Sequence, residues 1–433
     1  MRFPHIAACL AAAGTLVIAE GQTAQELINS VLNPDPGSKS YSSFSSQIYY
    51  NATLFGQVSR VSTNYNKLEA SAKLRLPPAA YDYAAGGAGL ETTIAANRAA
   101  FDHLAIVPRV MRHVQPKRYL NTTLFGRNIP APVVMAPVGV QTLFHPDGER
   151  ATASVFGELG LPYTLSTASS TGFADVAAAN GDNPRWYQLY WPSDNDLTRS
   201  YVKTAKENGY EVLVVTVDTW DLGWRTRDLD RGFFPFIRGI GVQIGLEDPV
   251  AHKKLGFNPL APNATAEQKQ TAALYHVIAT SRGISPIWGN LPLLREAWGD
   301  GPIVLKGVQS VDDAKMAVEH GVDGIIVSNH GGRQIDGATA SLDALREISK
   351  AVQGKITIGF DSGIRSGADI FKAIAIGADF VQIGRPVLWG LAHGGAEGVR
   401  HVMKSLLAEF DLTLALSGLE KLEDLNQTAV VAR

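Results

Sequence analysis

Eight short apolar runs, at 132–138, 162–167, 185–190, 211–218, 302–308, 324–329, 356–361 and 379–384, recur from residue 132 onward. Most are separated by segments of helical period that end in glycine. Strands buried on both faces read as continuous apolar runs, and parallel neighbours need helical crossovers. Eight such strands alternating with helices predict an α/β fold, a closed (β/α)8 barrel of the TIM type. A doubly wound open sheet is the alternative, because counting strands does not prove closure.

An internal echo supports repeated helix–strand units. "SVDDAKMAVEHGVDGIIVS" (310–328) aligns with "SGADIFKAIAIGADFVQIG" (366–384), pairing Ser310 with Ser366, Asp313 with Asp369, Gly321 with Gly377 and Asp323 with Asp379. Serine caps a helix, the acid three residues on completes a capping-box-like pair, and glycine takes the left-handed exit.

The chain begins with a cation at Arg2 and an apolar stretch from Ile6 to Ala19, with small residues at Val17 and Ala19. Residues 1–19 read as a secretory signal, which predicts a secreted or endomembrane protein; the run falls short of the ~20 residues that span a bilayer. The single cysteine, Cys9, lies inside it, so the mature chain would have no disulfide, thiol nucleophile or cysteine metal site. Sequons at Asn51, Asn121, Asn263 and Asn426 then become glycan candidates. Residues 20–61 read as an N-terminal arm, with a short helix at 23–32 and an irregular stretch at 33–47. Residues 62–433 form the barrel domain, opening with helical residues 62–103 broken at Pro77-Pro78 and at Gly86, Gly87 and Gly89. A long excursion, 219–300, follows the fourth run, and its "FFPFIRG" is too apolar for a free linker; it reads as a lid or as an insertion against another subunit. A net charge of −2 and the lack of a long basic run argue against nucleic-acid and membrane-surface partners.

Chemistry in this fold sits at the C-terminal strand ends. Those positions hold Pro137, Val138 and Gly139, then Ser166, then Gln188 and Tyr190, then Thr216 and Asp218, then Lys306. The last three runs end in Ser328, His330 and Arg333, in Asp361, Ser362, Gly363, Ile364 and Arg365, and in Gly384 and Arg385. The last two groups suit a phosphate: glycines admit backbone N–H groups, arginines add charge, and helices starting at Ser366 and after Pro386 would point their positive ends at it. Ser166, Gln188, Thr216 and Lys306 suit a flat heteroaromatic ring. His330 is a candidate base with Asp218 to hold its imidazolium, and Arg333 is a carboxylate fork.

"SNHGGRQID", "LKGVQSVDDAKMAVEHG", "FDSGIRSGADIFKAIAIGAD" and "QIGRP" resemble the FMN-dependent L-2-hydroxy acid oxidising enzymes, over roughly Leu68 to the end. "DTWDLGWRTRDLD", "FFPFIRG" and "SSFSSQIYY" resemble the lactate 2-monooxygenase branch. The resemblance implies FMN as cofactor, a small, lactate-like L-2-hydroxy acid and O2 as co-reactants, and a homo-tetramer or octamer. It implies His330 as base with Asp218 as partner. Tyr83, Arg225 and Arg333 would clamp the carboxylate, Tyr190 would sit at the substrate oxygen, and Lys306 at the pyrimidine edge. Pro137, Val138, Gly139, Ser166, Gln188, Thr216 and Ser328 would contact the ring and ribityl chain, and Asp361 to Arg365, Gly384 and Arg385 the ribityl chain and phosphate. Gly139, where glycolate oxidases carry alanine and which would leave room near the flavin, and the long lid resemble the branch that retains its product, which implies acetate and CO2 from lactate; a simple oxidase releasing the 2-oxo acid and peroxide is the alternative. A phosphosugar barrel using Lys306 as a Schiff base is a second reading, and a non-catalytic binding protein a third.

Overall fold

The computed structural model describes residues 17–18, 22–23, 40–115, 117–281 and 283–433. Most of the 1–19 leader and of the expected 23–32 helix lies outside these residues; Val17–Ile18 pairs antiparallel with Gln22–Thr23. One expectation needs correction. Residues 43–47 are not irregular but open the helix Ser43–Phe55. Its start is held from a distance, since the Ser42 amide donates to Asp411 Oδ2 at 2.7 Å and Arg118 donates to the Ser42 hydroxyl at 2.6 Å. Local composition carries no sign of such an anchor. The breaks at Pro77 and at Gly86 to Gly89 are present: Tyr65–Arg75, Pro78–Ala85 and Thr92–Asp102 are separate helices.

The eight runs form one parallel sheet: β1 Val133–Met135, β2 Tyr163–Ser166, β3 Arg185–Tyr190, β4 Val212–Thr216, β5 Ile303–Val308, β6 Gly324–Val327, β7 Thr357–Phe360 and β8 Phe380–Ile383. Its order is β1-β8-β7-β6-β5-β4-β3-β2, and the β1–β2 seam is bridged by the Met135 amide donating to Pro162 O at 3.0 Å. The sheet is therefore a nearly closed (β/α)8 barrel.

Strand register explains why one end is polar. Alternate residues point inward, and Trp186, Val212, Val214, Val304, Ile326, Phe380 and Val134 form an interior cluster, closed at the N-terminal end by Leu124 and Ile129 of a hairpin. Two residues further along the same inward rows stand Gln188, Thr216, Lys306, Ser328 and Gln382. The odd-parity residues pack outward against the helices, as Leu213, Val215, Leu305, Ile325 and Val327 do. A strand thus changes from apolar to polar on its inward row alone, and the polar ends converge.

The echoed motif plays one structural part twice. Ser310 and Ser366 cap their helices, accepting the amides of Asp313 and Asp369. Asp323 and Asp379 each accept a backbone amide from the preceding barrel strand, Ile303 at 2.8 Å and Ile358 at 2.7 Å. The capping acids diverge. Asp313 takes the Ser310 hydroxyl, whereas Asp369 takes the Arg365 amide and Arg98.

Segment 219–300 is folded rather than extended. Helix Ala266–Thr280, opened by a capping box at Thr265, spans it above the barrel mouth, and Leu291–Trp298 returns the chain to β5. No helix among the described residues is long and apolar enough to cross a membrane.

Candidate active site

A cavity opens at the C-terminal end of the barrel. Its walls include Tyr83, Pro137, Val138, Gly139, Ser166, Tyr190, Thr216, Arg225, Lys306, His330, Arg333, Asp361, Ser362, Gly363, Ile364, Arg365, Gly384 and Arg385. The structure thus gathers nearly the whole expected set. Three expected residues stand behind the wall instead: Gln188, Asp218 and Ser328.

Asp218 and Ser328 act through their neighbours. His330 Nδ1 donates to Asp218 Oδ1 at 2.9 Å, and the Thr219 hydroxyl donates to the same oxygen at 2.7 Å. Asp218 is therefore a positioning residue. Gly307, in the β5 bulge after Lys306, makes room for it: a Cβ there would lie 2.6 Å from Asp218 Cβ, and its φ is +107°. Ser328 accepts Lys306 Nζ and the His330 amide, each at 3.0 Å. His330 itself has φ +58°, uncommon for a non-glycine residue. The reciprocal Asn97–Asn329 amide pair, at 2.8 and 2.7 Å, locks the residue before it. Asp336, the acid of "RQID", accepts the Leu90 and Thr92 amides at 2.7 and 2.8 Å and ties this turn to the N-terminal helices.

Burial, backed by repulsion from Lys306 and Arg225, holds the His330 imidazole below its ordinary value against the pull of Asp218. Burial alone would raise the Asp218 carboxyl, but His330 and Lys306 more than offset that and hold it low. The pair at neutral pH is a neutral imidazole beside a carboxylate. Nδ1–H faces Asp218, which leaves Nε2 as the acceptor. Burial would lower Lys306, but Asp361 at 2.9 Å and Asp218 raise it. Held as an ion-paired ammonium, Lys306 is arranged as a fixed cation, which counts against the Schiff-base reading.

The cationic side chains are the site's other signature. Arg225, Arg333, Arg365 and Arg385 all line the cavity, and none is ion-paired among the described residues. Arg385 spends its donors on carbonyls: Ala84 at 2.7 Å, Gly331 at 2.9 Å and Gly86 at 3.0 Å. Arg333 donates to the carbonyls of Tyr83 and Gly86 and lies over the Tyr83 ring at 4.8 Å. Burial, then the neighbouring guanidinium groups, pushes Arg333 down to about 10 and Arg385 to about 9. Such a cluster calls for anions. Burial and the adjacent Tyr83 push the Tyr190 phenol well up, so it remains a donor.

Two expectations about glycines and helices change. Gly139 does not leave room in the cavity. A Cβ there would lie 2.1 Å from Ala168 O, the oxygen that accepts the Val140 amide. Glycine is needed for that close approach, and Gly139→Ala is expected to cost about 1–3 kcal/mol, read as a lowered Tm rather than a changed product. The Ser366 helix does not offer its first turn to a phosphate, because Glu409 already accepts the Gly367 amide at 2.8 Å and Ser366 that of Asp369. The helix beginning at Arg385 opens at the cavity wall, where Gly384 and Arg385 both stand.

Sequence reasoning missed Gln382, a polar residue inside the apolar run "FVQI", which that contrast could have flagged. It also missed Thr219 and the lid residues Leu222, Phe234, Phe236, Val277, Thr280 and Ser281.

The sequence profile described as FMN-dependent dehydrogenase matches residues 72–432. The chain belongs to this family. It is 46% identical over 390 residues to an FMN-dependent alpha-hydroxy acid dehydrogenase of Penicillium citrinum, covering 89% of this chain and 95% of that one. It is 39% identical over 364 residues to an L-lactate oxidase of Lysinibacillus sphaericus, covering 84% and 91%. Among solved structures, a lactate oxidase of Pediococcus acidilactici superposes with TM-score 0.74 at 34% identity, covering 86% of this chain and 94% of that one. A mandelate oxidase superposes with TM-score 0.72 at 35% identity, covering 86% and 98%.

FMN is the family's cofactor, and the residues present suit it. Gln188 Nε2 and both ends of the Gln382 amide are buried without partners among the described residues, as a ring with donors and acceptors on one edge requires. The amides of Gly363, Ile364 and Gly384 have no acceptor among the described residues. They lie beside Arg365 and Arg385, as a phosphate would need. A Cβ on Gly384 would stand 3.6 Å from the cavity-lining Ala136 and Val138 side chains.

Proposed function

We propose that this chain oxidises an L-2-hydroxy acid to the 2-oxo acid with O2 as the final electron acceptor: RCH(OH)COO⁻ + O2 gives RC(=O)COO⁻ + H2O2. The observation that carries the reading is the His330–Asp218 pair, 2.9 Å apart, opening onto the same cavity as the unpaired Arg225 and Arg333. A base and a double guanidinium clamp match a hydroxyl proton next to a carboxylate. When bound, FMN supplies the two-electron acceptor for the Cα hydrogen. His330 Nε2 takes the hydroxyl proton, and Asp218 stabilises the resulting imidazolium. Arg225 and Arg333 hold the carboxylate, and the Tyr190 phenol donates to the substrate oxygen. Lys306 places a fixed positive charge where negative charge collects, so that little reorganisation is needed. Its partners Asp361 and Ser328 keep it in place.

Decarboxylation of the product in place had two supports, the lid and Gly139. Gly139 no longer counts, because the space a side chain would take there is already filled by Ala168. The 2-oxo acid is therefore the proposed product. Turnover of L-2-hydroxy acids in air should give 2-oxo acid and peroxide in equal amounts. Acetate and CO2 from lactate without free peroxide would return the chain to the retaining branch, and no oxidation of any 2-hydroxy acid would end the proposal.

The leader at 1–19 and the exposure of Asn51, Asn121, Asn263 and Asn426 support entry into the secretory pathway. Protein from a secreting host should lose mass on endoglycosidase treatment.

A further inference from the structure

The cavity lined by His330 and Arg333 has a further wall supplied by the 219–300 segment, in which Phe234, Phe236, Val277, Thr280 and Ser281 face the space. The polar atoms next to this wall are largely committed elsewhere. The Thr280 hydroxyl donates to His276 O at 2.8 Å, and His276 Nδ1 meets the Tyr201 hydroxyl at 2.9 Å. Burial pushes His276 down to about 4, so it carries no charge at neutral pH. What the wall offers a ligand is aryl and alkyl surface. That surface is also firmly backed. Phe236 and Val277 pack against a buried cluster of Val242, Leu246, Ala272 and Ala273. Gly245 lies so close to the His276 ring that a Cβ would come within 2.3 Å of it. The wall is part of a small core, with the free faces of Phe236 and Val277 turned to the cavity.

A methyl group at the clamp would leave this apolar wall facing water. We propose that the lid wall is the substrate side-chain subsite, that Phe236 and Val277 determine specificity, and that the preferred substrate carries an aryl or branched alkyl group at C3 instead of lactate's single methyl. The proposal rests on the 2-hydroxy acid reading above and names the substrate class within it. An apolar pocket rewards each added methylene by about 10–200-fold when the group is buried.

The test compares the FMN-loaded enzyme on L-lactate, L-2-hydroxyisocaproate and L-3-phenyllactate. The expected result is a kcat/KM at least tenfold higher for one of the two larger acids. Propionate and 3-phenylpropionate, which lack the hydroxyl, give a readout of binding alone as competitive inhibitors, and the phenyl compound should bind at least tenfold more tightly. Val277→Phe should lower kcat/KM for phenyllactate at least tenfold more than for lactate. Lactate equal to or better than both larger acids, with equal inhibition by the two propionates, overturns the subsite and leaves the 2-hydroxy acid reading standing. Equal losses on both substrates in Val277→Phe overturn the role of Val277. No turnover of any of the three overturns both readings.

Discussion

His330→Gln should bind FMN as the wild type does and lose about 10²–10⁴-fold in kcat. The side chain supplies a base at the hydroxyl end of the clamp, whereas the phosphate-seeking amides belong to Gly363, Ile364 and Gly384, which follow the ends of β7 and β8. The backbone hydrogen bond from His330 N to Ser328 Oγ, at 3.0 Å, does not depend on the ring. The variant should therefore keep its flavin absorbance and its melting curve. Near wild-type turnover would remove His330 as the base. The pH dependence follows from the same geometry. Burial holds the imidazole below its ordinary value, so the base form persists as pH falls, and the acid limb of kcat/KM should lie below the free-histidine value of about 6.5. Asp218→Asn removes the interaction that opposes this lowering. Its acid limb should move lower still, with a slower kcat because Nδ1 loses its fixed acceptor. An acid limb shifted upward would contradict the pairing.

Arg333→Lys should raise KM on the order of 100-fold, equivalent to about 2.7 kcal/mol, with a smaller change in kcat. One nitrogen of Arg333 is committed to the carbonyls of Tyr83 and Gly86, and the plane rests over the Tyr83 ring. A guanidinium can keep those contacts and still present a second N–H edge to a carboxylate; an ammonium meets one set or the other. Stopped-flow measurement of flavin reduction against substrate concentration separates the binding loss from the chemical step. An unchanged KM would place the carboxylate elsewhere.

The polar inward rows show why so much was legible in the chain. Trp186 to Gln188, Val304 to Lys306 and Phe380 to Gln382 are each two residues apart, so they share a face of their strand wherever the strand goes. The period of a strand is local, and a polar residue ending an apolar row can be read without knowing its neighbours. The same holds for "SNHGGR" and "DSGIR", where base, fork and anion-seeking amides are adjacent in the chain. Sequence therefore determined the fold class and most of the cavity wall.

Other features required the barrel to close and its loops to pack. Asp218 and His330 are separated by 112 positions, and their 2.9 Å contact depends on a bulge at Gly307 on a third strand. Gly139 lines the cavity as its place after a strand end implies, but the loop after β2 puts Ala168 O where its side chain would go, so it opens no extra room. The Ser366 helix lost its anion role to Glu409, a residue of the C-terminal helix. Of the lid wall, only "FFPFIRG" stands out in the chain; Val277 joins Phe236 through a shared buried cluster that no local pattern marks. In each case the deciding contact joins segments far apart in sequence. Such contacts are set by burial and packing in three dimensions, for which neither spacing nor residue type leaves a local mark.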